Sequence, residues 1–327
     1  MDKLLRIFII MFCISLGYVN AAPITPLSLP SNVKHALTIA NHFSWEDSKT
    51  IPTHSQLKTL EAAALTSQLN KQTMAELSNQ EKYDLAEINL KLGMYYTHVL
   101  KNPDLAINKL SIANQLLKKA KAKAWIFNHL AYAYELKYAE TKNSDDKRSA
   151  LYFSNKVISK FPPDSNEVAF AYSVKGLVAN DAYDYTNAEK NFLTALTIYE
   201  KNAATQTEPY IRSKNRLASI ILDQHGREQE VLSMLTPLKR YWMNQKNFAH
   251  NPYAARTFIT IGQAYLKIGK GKSATLNFKK ALNIYARHYG ESSTQLFKLY
   301  DLLAQSYKLQ GKNKLAAKYT RKLAELR

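Results

Sequence analysis

The chain has a single cysteine, Cys13, and it lies inside an N-terminal apolar segment. Beyond that segment no thiol remains for a disulfide, a nucleophile or a thiolate metal site. That suits an oxidising compartment, where a stray thiol is a liability. Glycine is scarce, nine in 327 residues, and no glycine-rich loop follows a strand pattern. Gly271-Lys272-Ser273 imitates the end of a phosphate-binding loop, but the Gly required five residues before Gly271 is replaced by Leu266. A strand is also required before it, and here the segment reads as a turn between helices. No nucleotide or other cofactor is expected. None of the eight histidines forms a metal-binding pair on one helix face. No metal site and no catalytic residue is expected. Past the leader no apolar run is long enough to cross a bilayer. Acid is also in short supply: 26 Asp and Glu stand against 45 Lys and Arg, for a formal charge of +19. No period-two apolar alternation marks a strand.

The leader has an order of its own. Lys3 and Arg6 precede a mostly apolar run from Leu4 to Val19, and Val19-Asn20-Ala21 offers small residues for cleavage. The sequence predicts a signal peptide over 1–21 and an exported protein, periplasmic or secreted. Residues 22–84 hold a Pro-rich stretch from Pro23 to Pro30, then amphipathic helices at Asn32–Phe43 and Thr53–Asn70. They are expected to form an N-terminal helical cap.

From about Leu85 to Arg327 small and large residues recur at fixed spacing. Gly176, Ala188, Phe192 and Ala195 stand at offsets 0, 12, 16 and 19, as do Gly262, Ala274, Phe278 and Ala281. Ala304 and Ala316 repeat the first two. Gly93 leads Ala106, Leu110 and Ala113 with one extra turn residue, and Ala131 leads Ala150 after a longer turn. Around Ala218 the pattern degenerates, since Glu230 and Pro237 stand where alanines are expected. A large residue four before the centre and Tyr three after it recur in Phe258/Tyr265, Tyr300/Tyr307 and Phe127/Tyr134. This spacing describes two helices in close contact, one small residue admitting the partner's large one.

The pattern resembles the tetratricopeptide repeat, which implies an all-α fold, a right-handed α-α superhelix of helical hairpins. About six units fit between 85 and 327. Their central residues are 38, 45, 42, 44 and 42 apart, longer than the ordinary ~34, as in kinesin-light-chain repeats. Arg287 to Glu291 is similar to that family's inter-repeat turn. HEAT repeats share the longer period but do not account for the offsets.

The resemblance implies a binding groove lined by the first helix of each unit. Its positions lie six and three before the central residue, and one, four and five after it. With Arg216 one turn from Arg212, the expected partner-binding residues are Arg212, Asn215, Arg216, Arg256, Gln263, Lys267, Lys298 and Gln305. Leu90, Met94, Trp125, Asn128, Tyr132 and Phe170 make the N-terminal half more apolar. The family's clamp for terminal carboxylates is not reproduced. The function implied is a non-enzymatic scaffold or adaptor that binds a protein or peptide, with guanidinium groups gripping acidic side chains. The alternative is an envelope polyanion bound by the basic face: an anionic glycan, lipopolysaccharide or lipid surface. Such binding weakens steeply with salt, whereas an apolar-anchored groove does not. Nucleic acid is not an expected partner.

Overall fold

A computed structural model describes residues 36, 38–41, 54–65, 77–117, 120–224, 226–246, 248–291 and 293–325. The expected signal peptide, the Pro-rich stretch and the Trp45–Pro52 loop lie outside the described residues. Among the described residues all regular structure is helical. After α1 (His54–Leu65), helices run in consecutive pairs: α2 (Asn79–His98) with α3 (Pro103–Leu116), α4 (Ala120–Thr141) with α5 (Ser144–Lys160), α6 (Asn166–Asp181) with α7 (Tyr185–Lys201), α8 (Glu208–Asp223) with α9 (Glu228–Asn244), α10 (Pro252–Lys267) with α11 (Gly271–Tyr289), and α12 (Phe297–Leu309) with α13 (Asn313–Glu325). Each helix packs on the next in sequence, and the first helices of successive pairs also touch one another. The even-numbered helices thus form an inner layer and the odd-numbered ones an outer layer.

Local chemistry sets the boundaries. Ser78 caps α2 with a reciprocal box: its hydroxyl accepts from the Glu81 N–H at 3.2 Å, and its own N–H donates to Glu81 Oε2 at 2.7 Å. Asn102, Asn143, Ser165, Asp184 and Asn251 cap later helices through their side-chain oxygens. Pro103, Pro209 and Pro252 sit in first turns, where the missing N–H costs nothing.

The recurring offsets are helix contacts. A Cβ built on Gly93 would lie 2.5 Å from Leu110, one on Gly176 2.9 Å from Phe192, and one on Gly262 2.5 Å from Phe278. Each central glycine therefore lets the large residue of the paired helix lie against bare backbone. Ala188, Ala195, Ala274 and Ala281 are fully buried on either side of those aromatics. The unit led by Ala218 is not degenerate but shifted. Val231, Leu235 and Leu238 fill its interior, one residue later than expected, matching the register of Ala106, Leu110 and Ala113. Glu230 and Pro237 face solvent.

Two core clusters result. One joins Ala36, Ala40, Leu60, Ala63 and Ala64 to α2, α3 and α4, and the other runs from α4 to α12, with Tyr134 and Phe153 packed against both. Tyr96 donates a hydrogen bond to Glu61, tying α1 to α2. At the far end no residue of α13 is buried.

Candidate binding channel on the concave face

The inner layer curls until its first and fourth pairs touch. Arg212 on α8 brings Nη1 to 3.1 Å from Nδ1 of His98, the last residue of α2. Its guanidinium lies 4.6 Å from the ring centre of Tyr132 on α4, a cation–π contact. On its own helix Arg212 pairs with Glu208 at 3.6 Å, and both side chains are largely buried, 18% and 11% exposed. Tyr253 of α10 donates to the same carboxylate at 2.5 Å. One guanidinium therefore bridges the concave face across four pairs.

An aromatic wall surrounds this bridge. His98 and His129 meet edge to face at 5.2 Å, Trp125 stacks on His129 at 5.9 Å, and Phe170 lies 5.6 Å from His129. Arginine can only donate, so His98 Nδ1 must accept from Arg212. His98 Nε2 then carries the proton and donates to His129 Nδ1 at 3.3 Å. That leaves the hydrogen of His129 on Nε2, a buried atom with no partner. Both rings are neutral. Burial, followed by the Arg212 charge, holds His98 well below the usual histidine range and lowers His129 to about 3. Burial, and then Asp181, pushes the Glu135 carboxyl on α4 well above its ordinary value. Burial opposes the charge on Arg212, but Tyr132, Tyr253 and Glu208 outweigh it, so the group stays cationic.

The expected site residues divide. Arg212, Arg216 and Arg256 converge, joined by Lys101 from the turn after α2: each of Lys101 and Arg216 feels the charges of Arg212 and Arg256. Lys101, Arg216 and Arg256 all reach solvent. The concave wall crowds them without covering them, and it is burial first, then neighbouring cations, that lowers Lys101 and Arg216.

Asn215 is withdrawn from the groove. It is 1% exposed, accepts from Thr257 at 3.0 Å and donates to the Tyr253 carbonyl at 3.5 Å. Asn128 does the same two units earlier, donating to the Glu167 carbonyl at 2.9 Å. Ser173 meets Ser213 at 2.7 Å. Asn215, Asn128 and Ser173 all lie three residues before their central residue, so that position faces the next inner helix, not the ligand. Lys267 is also committed: its ammonium donates to the Leu222 carbonyl, closing the C-terminus of α8. Gln305 donates to Asp301 at 2.7 Å and is exposed, as is Lys298, while Gln263 is half-buried.

The N-terminal half is not an open apolar groove. Tyr132 and Phe170 are 4% and 8% exposed beneath the Arg212 bridge. His98, Lys101, His129, Glu135 and Asp181 were missed as cluster members. His98, Glu135 and Asp181 do occupy positions four or five after a central residue, so the same geometry reached them. His129 and Arg216 mark a further inward position, two before the centre.

No protein-family model matches the chain, and no curated protein matches it. Solved structures do. RapI in its apo form aligns over 92% of this chain and 97% of its own, at 15% identity and TM-score 0.58. A Rap protein complexed with competence and sporulation factor aligns over 98% of this chain and 90% of its own, at 14% identity and TM-score 0.57. A Podosopora anserina kinesin light chain with nearly identical TPR-like repeats aligns over 64% of this chain and 97% of its own, at 13% identity and TM-score 0.51. At such identities the likeness is one of fold, and together with the paired helices it makes the chain an all-α solenoid of tetratricopeptide-like hairpins.

Proposed function

We propose that this protein is an exported, non-enzymatic adaptor that binds a segment of a partner protein along its concave face. The observation that supports this most is the unpaired cationic column. Arg216 and Arg256 reach solvent on the inner face, and neither makes an ion pair or hydrogen bond among the described residues. A solenoid lines its concave side with side chains from successive repeats, which suits an extended polypeptide. A Rap protein of the same fold in complex with competence and sporulation factor supports a receptor role for such a surface. Lys298 and Gln305 on the last inner helix are also exposed, Gln305 being held by Asp301. Export rests on the leader's charged, apolar and small-residue order.

The test is a photo-crosslinking residue at Gln263 on the inner face, with one at Leu276, which is 57% exposed on α11, as the outer-face control. Capture of one polypeptide from Gln263 alone supports the adaptor. Equal capture from both, lost together with rising salt, replaces it with the polyanion reading. Mass spectrometry of the protein recovered from its native cells should find Ala22 at the N-terminus. An intact Met1 would overturn export.

A further inference from the structure

We propose that Lys101, Tyr132, Arg216 and Arg256 form a discrete site for a dianionic oxyanion carried by the partner, a phosphate monoester or two adjacent carboxylates. This deepens the adaptor reading and rests on it.

Three cations from three different pairs flank the contacts that meet at Arg212: Lys101 follows His98 by three residues, Arg216 lies one turn beyond Arg212, and Arg256 follows Tyr253 by three residues. Lys101 comes from the turn after α2, Arg216 from α8 and Arg256 from α10. None has an ion pair or hydrogen bond among the described residues, while the carboxylates nearby are in use: Glu208 holds Arg212 and Tyr253, and Glu135 is set against Asp181. Arg212, the fourth cation, is spent on His98, Tyr132 and Glu208. The Tyr132 hydroxyl makes no hydrogen bond to the described residues, although its ring is 4% exposed, and it senses Lys101, Arg212 and Arg216 together. The ring is buried while the hydroxyl at its tip keeps solvent contact, so a phenol O–H beside these cations can donate to an acceptor that enters the channel. The charge excess is too large for one carboxylate, and guanidinium forks match phosphate and carboxylate oxygens two at a time.

The experiment is calorimetric titration of the full protein with inorganic phosphate at pH 8, and separately with succinate, at fixed ionic strength. Either anion should bind with one-to-one stoichiometry, phosphate alone indicating the monoester and succinate alone the paired carboxylates. Arg216→Gln with Arg256→Gln should weaken binding at least tenfold, and Tyr132→Phe should weaken it severalfold. Lys279→Gln with Lys280→Gln, on α11, should leave it unchanged. Without anion, the Arg216/Arg256 variant should melt higher than wild type, because like charges no longer repel, whereas loss of a structural contact would lower it. No binding of either anion, or equal loss in the α11 control, overturns the site. If crosslinking at Gln263 still captures the partner in that case, the adaptor reading stands without it.

Discussion

Arg212 carries more of this structure than its neighbours do. Its pairing with Glu208 is largely withdrawn from solvent, so removing one partner leaves a buried charge uncompensated, at a cost of ~3–5 kcal/mol. Arg212→Ala should therefore lower stability by that order in chemical denaturation, and Arg212→Glu by more, since it sets a second carboxylate beside Glu208. An Arg212→Ala variant as stable as wild type would mean the pair is solvated. Burial, and then the charge of the same residue, makes the histidines acid-sensitive. His129 titrates near 6.5 unfolded and about 3 folded, so the unfolded chain binds the proton first. Stability should be full above pH 6.5 and fall between pH 6.5 and 3 by ~1.4 kcal/mol per pH unit on account of His129, with His98 acting in the same direction. Glu135 acts with the opposite sign: its raised value favours the folded state most below pH 4.5 and loses that advantage as pH rises. Denaturation measured at pH 7, 6 and 5 should show a shallower decline for His129→Gln than for wild type. Parallel declines would place His129 in contact with water.

At the scale of the element, contact between paired helices depends on one missing methyl group. A Cβ on Gly262 would lie 2.5 Å from Phe278, and Phe278 is fully buried, so it has nowhere to go. Gly262→Ala should cost ~1–3 kcal/mol by overpacking, despite the gain in helix propensity. Thermal melting checks this, and an unchanged midpoint would show that Phe278 can turn away. Pro237 makes the reverse case. It stands in the interior of α9 with its ring in solvent, where it removes a helical hydrogen bond. Pro237→Ala should stabilise, by up to ~3 kcal/mol. The offsets 0, 12, 16 and 19 were legible in the sequence because the Gly-to-aromatic contact is local to one hairpin. The same one-residue shift was legible at Gly93, where Ala106 and Ala113 mark it, but not at Ala218, where Val231 and Leu238 carry no small-residue signature and only their burial reveals it.

At the scale of the molecule, a solenoid is ordinarily a nearest-neighbour structure in which each repeat feels only the next. The bridge from Arg212 to His98 breaks that rule, because it joins residues 114 positions apart. It should couple the first two pairs to the fourth. Arg212→Ala is then expected to reduce the denaturant m-value as well as the midpoint, since units that unfold separately lower the apparent cooperativity. Hydrogen exchange should show α2 and α4 opening before α10 in the variant, and together with it in wild type. Identical m-values would show that the bridge transmits nothing.

The sequence by itself determined the hairpins. Small residues, large residues and turn residues act within about 20 positions of one another, and that is the range over which a linear pattern can be read. The resemblance to the tetratricopeptide repeat implied which positions of the inner helices point inward; Arg212 and Arg256 do, while Asn215 faces the next inner helix. The tertiary structure decided the rest. Whether Asn128 and Asn215 serve a ligand or a neighbouring helix depends on how closely successive inner helices approach. Whether the channel is open depends on the curl of the whole array, which sums small rotations from every pair. That sum brings His98 under Arg212, removes Tyr132 and Phe170 from solvent, and leaves Lys101, Arg216 and Arg256 exposed. No single repeat encodes it.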